Sequence, residues 1–353
     1  MIAKASRYSL PIAKIRASMG DLLGAREYAM LVHAPSLEEM MAALRTTAYA
    51  PALRAADVNF ATAVRRFRLS KAERLVATLP AGALGLCRTF LSRFELEALK
   101  VILRAIVAGT EPRKTLSTLQ PMPARSALPI ERLLAAKTLE DAAKTLAGTP
   151  YAAPVKEGLE RAAEEAAGAK KAPWTLSEVE AHLDRSFLIR MARASDAFSG
   201  EENRIVGRLL GVLIDAINVL WTERLRRTFH LSPEAAARRL CPAGFYLDTA
   251  KKRATLAQWD GEGQPPFVAV GLEEAGPALR ISMMRMLARE ARRPLFAIPF
   301  QAGVALSYLV LGDLETADLV ALYEGRRWGR NPMQLVDGLI RFHGAALAGG
   351  EVA

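Results

Sequence analysis

Ser36-Leu-Glu-Glu-Met-Met-Ala-Ala-Leu-Arg-Thr-Thr-Ala-Tyr49 can be laid on Thr138-Leu-Glu-Asp-Ala-Ala-Lys-Thr-Leu-Ala-Gly-Thr-Pro-Tyr151 without a gap, at a constant offset of 102 residues (138 − 36). Leu37/Leu139, Glu38/Glu140, Leu44/Leu146, Thr47/Thr149 and Tyr49/Tyr151 are identical, and Ser36/Thr138 and Glu39/Asp141 are conservative pairs. Each copy opens with a hydroxyl at the N-cap position and a carboxylate three residues later, the signature of a capped helix start. Each then closes on Thr-x-Tyr and a proline nearby. Two helical stretches share leucine periodicity easily. They do not so easily share a non-helical Thr-x-Tyr at the same offset, so the pair predicts an internally repeated helical fold.

Outward from these copies, 3.6-residue periodicity continues through most of the chain, broken at Pro and Gly clusters. The spacing predicts helices over 51–78, 83–108 with Gly109 as its stop, 152–167, 176–197, 201–229, 272–292, 301–311, 314–323 and 333–347. A second capping box is expected at Thr175–Glu178. The segment 110–129, with four prolines, reads as a linker, and 241–271 as loop-rich, with at best short extended pieces at 245–247 and 267–270. Ala, Leu and Arg dominate, and aromatic residues are only 7%, which favours helix over strand.

A second recurring pattern lies on the long helices. Glu95-x-x-Ala98-Leu99, Asp215-x-x-Asn218-Val219 and Glu315-x-x-Asp318-Leu319 match, and Arg104 and Arg224 follow the first two at equal distance. Together with the first repeat this divides the chain into three related units, residues 1–125, 126–230 and 231–353. Asp215 and Asn218 share one face of an otherwise apolar helix. They are expected either in an interhelical hydrogen-bond network or lining a cavity. The seven residues Glu95, Arg104, Asp215, Asn218, Arg224, Glu315 and Asp318 are therefore the candidate structural or cavity-lining polar set.

Composition bounds the function. With 51% hydrophobic and 24% charged residues, the chain reads as globular. The 19 uncharged residues from Pro294 to Gly312 are broken by two prolines and a glutamine, so they read as a turn and a buried helix rather than a membrane span. No continuous apolar run marks the N-terminus as a signal peptide. Cys87 and Cys241 stand alone, so a disulfide framework is not expected. The four histidines share no ligand spacing, and no phosphate-binding loop or nucleophile motif is present, so neither metal, cofactor nor catalytic role is expected. The net charge of +11 calls for an acidic partner without choosing one. The clusters Arg65–Arg68, Arg224–Arg227 and Arg289–Arg293 read as solvated basic faces, because aromatic residues for base stacking are few.

Taken in order, these features resemble the V/A-type ATPase family of subunits named C in prokaryotes and d in eukaryotes. The resemblance runs through Arg16-Ala17 with Leu22-Leu23, the two Leu-x-x-Thr-x-Tyr turns, the Glu95–Arg104 and Asp215–Arg224 stretches, Pro242-Ala243-Gly244, Tyr308-Leu309 and Glu315–Leu319. Ala98 and Asp318 depart from the family's usual Asn, and 251–264 matches nothing in it. The resemblance implies an all-α fold of three similar helical bundles in a pseudo-threefold, funnel-shaped arrangement. It implies a non-catalytic coupling part of a rotary ATPase that transports protons or sodium. The partners it implies are the central stalk subunits of the soluble head and the membrane proteolipid ring, with no nucleic acid or small-molecule substrate. The place it implies is the cytoplasmic face of the membrane. The alternative from another class is a helical-repeat adaptor or scaffold for unrelated partners, nucleic acid among them.

Overall fold

A computed structural model of the chain describes residues 2–54, 59–167, 175–262, 265–266, 279–344 and 347. The described residues are helical throughout their regular structure. The order is α1 (Ile2–Met19), α2 (Ala25–His33), α3 (Leu37–Arg45), α4 (Phe60–Val76), α5 (Ala81–Leu91), α6 (Arg93–Ala108), α7 (Pro112–Thr118), α8 (Ile130–Leu134) and α9 (Leu139–Thr145). It continues with α10 (Ala152–Ala167), α11 (Thr175–Arg193), α12 (Gly200–Arg227), α13 (Pro233–Arg239), α14 (Ala250–Gln258), α15 (Leu279–Phe296), α16 (Ala302–Arg327) and α17 (Pro332–Asp337).

The 102-residue repeat has the same local chemistry in both copies. Ser36 Oγ caps α3 by accepting from Glu39 N at 3.1 Å, and Thr138 Oγ1 caps α9 by accepting from Asp141 N at 3.1 Å. After each helix a threonine hydroxyl donates back one turn, Thr47 to Leu44 O and Thr149 to Leu146 O, both at 2.7 Å. That hydroxyl also accepts from the tyrosine amide two residues on, at 3.2 Å for Tyr49 and 3.3 Å for Tyr151. These bonds satisfy the carbonyls and amides that a helix end leaves open, and they fix where each tyrosine goes.

Several expected boundaries move, each for a visible reason. The expected 83–108 helix is two, parted at Ser92, whose hydroxyl donates to Thr89 O at 2.8 Å. Gly109 stops α6 in the left-handed region at φ 63°, as its position predicts. The expected helices 301–311 and 314–323 are one, α16, because Gly312 stays helical. A Cβ at Gly312 would overlap the Arg68 guanidinium, so the glycine is there for close approach rather than for a break. The proline-rich 110–129 segment contains α7, and the expected loop around 251–264 contains α14, whose Leu256 and Ala257 are fully buried. At 51–78 the long helix begins only at Phe60, capped by Asn59 Oδ1 accepting from Thr62 N at 3.2 Å. At the C-terminal end α17 stops at Asp337, well short of 347. Residues 245–247 are not strand; 267–270 and 171–174, just before the second expected capping box, lie outside the described residues.

Among the described residues the core forms three apolar clusters. The largest runs through α1, α4 to α6, α9 to α12, α15 and the first half of α16. A second joins the two ends of the sequence, with Leu23 to Val64 on one side and Leu319, Leu322, Leu335 and Leu339 on the other. The third holds Val212, Val219, Leu247, Leu256, Trp259 and Met283. Among the described residues only α12 is long and apolar enough to cross a membrane, and 61% of its apolar window is buried inside the fold. The stretch 294–312 is the end of α15, a turn and the start of α16, whose Ala302, Val304 and Leu306 are 0% exposed.

Candidate functional site

The three acidic positions on α6, α12 and α16 are all buried, and each anchors chain from elsewhere. Glu95, 5% exposed, accepts the Tyr151 hydroxyl at 2.9 Å and the Ala127 amide at 3.3 Å. Glu315, 0% exposed, accepts the Tyr49 hydroxyl at 2.6 Å and the Leu23 amide at 2.8 Å, and pairs with Arg341. The two tyrosines thus play the same part, each bringing its Thr-x-Tyr turn onto a buried glutamate. Tyr49 does so against the last long helix of the chain, which ties the N-terminal hairpin α2–α3 to α16. Asp215, 0% exposed, takes no tyrosine hydroxyl. It accepts three successive amides, Phe245 at 2.9 Å, Tyr246 at 2.6 Å and Leu247 at 3.1 Å. The chain can turn this tightly over the carboxylate because residue 244 is glycine, whose Cβ would otherwise collide with Asp215 Oδ1.

The positions three residues on also correspond, except in the first copy. Asn218 makes a reciprocal pair with Cys241, donating to its carbonyl and accepting from its amide, both at 2.9 Å. Asp318 accepts the Ile340 amide at 2.7 Å, the Arg341 amide at 2.9 Å and the Tyr28 hydroxyl at 2.9 Å. In each case a side chain 0% exposed fixes a loop 22 or 23 residues downstream. An aspartate can replace asparagine here because its partners, the 340–341 amides and the Tyr28 hydroxyl, are all donors, whereas the Cys241 peptide presents a donor and an acceptor. Ala98 makes no such bond and packs at 1% exposure in the main apolar cluster.

Burial pushes the carboxyls of Asp215 and Asp318 up to about 6, and their backbone amide partners hold them down against it. Burial likewise raises the Tyr49 phenol to about 12 and the Cys87 thiol to about 12, and lowers the Arg341 guanidinium. Cys87 is 0% exposed and packs in the main apolar cluster.

The two matched arginines lie outside these knots. Arg104 grips Glu180 of α11 with two parallel bonds of 2.7 and 2.9 Å. Arg224 is exposed and lies 5.2 Å over the Phe229 ring. It lines a small cavity of about 150 Å³ with Glu180, Asp184 and Trp221. Two larger cavities, about 750 and 710 Å³, flank α4 and share Ser70 and Arg74. Glu95, Tyr151 and Arg190 line the second of them. Among the described residues no group of three or more His, Cys, Asp and Glu side chains could hold a metal ion.

The pattern of the ATP synthase (C/AC39) subunit family matches residues 11–335, almost the whole chain. The chain belongs to that family. It is similar to the C subunit of the A-type ATP synthase of Pyrococcus abyssi, 24% identical over 91% of this chain and 87% of the relative. The corresponding subunit of Methanothermobacter thermautotrophicus is 23% identical over 91% of this chain and 84% of its own length. That of Methanocaldococcus jannaschii is 21% identical over 95% and 86%.

Sequence reasoning missed several residues of the knots. Arg341 and Tyr28 reach Glu315 and Asp318 from outside any repeat, with no spacing to announce them. Arg68, read as part of a solvated basic face, is only 6% exposed; it stacks 5.0 Å from the Tyr308 ring, under Gly312. The clue available was its spacing from Phe60 and Val64, which puts it on the buried face of α4.

Proposed function

We propose that this chain is a non-catalytic coupling part of a rotary V/A-type ATPase, joining the central stalk of the soluble head to the membrane proteolipid ring. Its place is then peripheral, at the cytoplasmic face of the membrane. Family membership over residues 11–335 is the observation that carries the reading, and it favours coupling over an adaptor for unrelated partners. The units 1–125, 126–230 and 231–353 are taken as three related bundles around a pseudo-threefold axis, forming a funnel. The anchoring bonds support this: Tyr151 meets Glu95 of the unit before it, Tyr49 meets Glu315 of the last unit, and Asp215 of the middle unit holds the 245–247 amides of the last.

A coupling part has to resist twist. Close-packed interiors transmit strain, and buried, fully partnered carboxylates at Glu95, Asp215 and Glu315 restrict each loop to one arrangement. Asn218 and Asp318 lock the following loops, and Arg104 staples α6 to α11. In this reading these residues are structural and none performs chemistry. The test is assembly from purified parts: the chain should bridge stalk and proteolipid ring into one particle under native mass spectrometry. Binding to neither, or a stalk–ring particle that forms equally well without the chain, contradicts the proposal.

A further inference from the structure

The turn between α15 and α16 is an exposed apolar apex on a rigid base. Phe296, Ala297, Ile298, Pro299 and Phe300 are all exposed, with Phe296 at 87%. The base is held on both sides. Gln301, 0% exposed, donates to Pro294 O at 3.2 Å and accepts from Gly303 N at 2.8 Å. Ala302 N donates to the buried Glu202 at 2.7 Å. The apolar side chains are therefore presented by a fixed support. Solvent exposure of several large apolar side chains in one uncharged turn marks a contact site.

Cations border the apex. Arg16 of α1 donates to Leu295 O at 3.1 Å, which ties α1 to the foot of the turn. Arg293, one turn before the apex, is 63% exposed. The carboxylates of that region are engaged: Glu290 by Arg208 and Arg293, and Glu201 by Arg204. We propose that the 296–300 turn inserts its apolar side chains into the surface of an anionic phospholipid bilayer, with Arg16 and Arg293 at the headgroup phosphates. A bilayer fits better than a protein groove because the feature is convex and uncharged at its tip, with positive charge set behind it. That is the layout of interfacial insertion, in which apolar burial and attraction to anionic lipid act together.

The inference rests on the membrane-peripheral placement proposed above, and its test uses no other ATPase part. The full chain is sedimented with vesicles of phosphatidylcholine alone and of phosphatidylcholine mixed with phosphatidylglycerol. Binding to the mixed vesicles only, weakened by salt, is expected. F296S should weaken it roughly tenfold, from the lost apolar burial. W328S should leave it unchanged, because that exposed tryptophan lies beyond the other end of the 26-residue α16, roughly 39 Å away. A tryptophan placed by Phe296→Trp should shift its emission to the blue when mixed vesicles are added. No binding to mixed vesicles, equal binding to both kinds, full binding by F296S, or an unmoved F296W emission each overturns the proposal. Any of these failures leaves the bridging of stalk and ring untouched, since neither is present in the assay.

Discussion

Replacing Tyr49 with phenylalanine deletes one oxygen from a fully buried knot. The Tyr49 hydroxyl donates to Glu315 at 2.6 Å, and both residues are 0% exposed. Glu315 keeps Leu23 N and Arg341, so the charge stays partnered and the loss is confined to one hydrogen bond to an ionised acceptor. Such bonds contribute about 1.5–3 kcal/mol. In a chain of this length that corresponds to only about 2–4 °C in melting temperature, so urea unfolding is the better assay. Y151F removes the matching bond to Glu95 at 2.9 Å and should cost about the same or less. The strongest form is a double-mutant cycle of Y49F with E315Q, where a coupling of at least ~1 kcal/mol is expected for residues in direct contact. Y49F with Y151F should be additive, because the two knots share no partner. A Y49F protein within about 0.5 kcal/mol of wild type, or a cycle with no coupling, would refute the idea that the hydroxyl closes the N-terminal hairpin onto α16.

Other outcomes follow from the same geometry. E315L strands the buried Arg341 charge and should cost about 3–5 kcal/mol, with limited proteolysis opening α2–α3 before the rest; uniform resistance of that hairpin would contradict it. G244A drives a methyl into Asp215 Oδ1 and should be among the most damaging single-methyl changes, measured by loss of folded yield against G85A, whose Cβ would meet nothing within 4 Å. Burial raises the Asp215 carboxyl from 3.8 to about 6, so between about pH 4 and 6 the folded chain binds a proton that the unfolded chain has released. Its contribution to stability is therefore largest at acid pH, falls as pH rises through that window at up to about 1.4 kcal/mol per pH unit, and is flat above it. The stability difference between wild type and D215N should change across about pH 4–6 and level off by about pH 7; a constant difference would show that Asp215 titrates normally.

Helix is legible in the sequence because it is local: the Ser36 and Thr138 caps, Gly109 and the apolar spacing of α10 and α12 each act within a few residues. The repeat is legible for the same reason, since the Thr-x-Tyr turn makes its own hydrogen bonds before its tyrosine reaches anything distant. What stays hidden is whatever depends on a partner far along the chain. Gly312 reads as a break until Arg68 is seen against it. Arg68 reads as surface until its place under α16 is known. The acidic positions stand out as polar groups in apolar helices, but their partners Leu23, Arg341 and the 245–247 amides leave no periodic trace. The matched arginines Arg104 and Arg224 share a spacing without sharing a role in the structure, because one meets a carboxylate and the other an aromatic ring.

The central claim is that this protein makes the stalk and the ring turn as one body. It is tested most directly by ATP-driven ion pumping in membranes prepared with and without the chain, with ATP hydrolysis by the head measured in the same samples. Without the chain, hydrolysis is predicted to continue while pumping is lost, and adding the purified chain should restore pumping. Pumping that survives removal of the chain, at an unchanged ratio of ions moved to ATP hydrolysed, would contradict the claim.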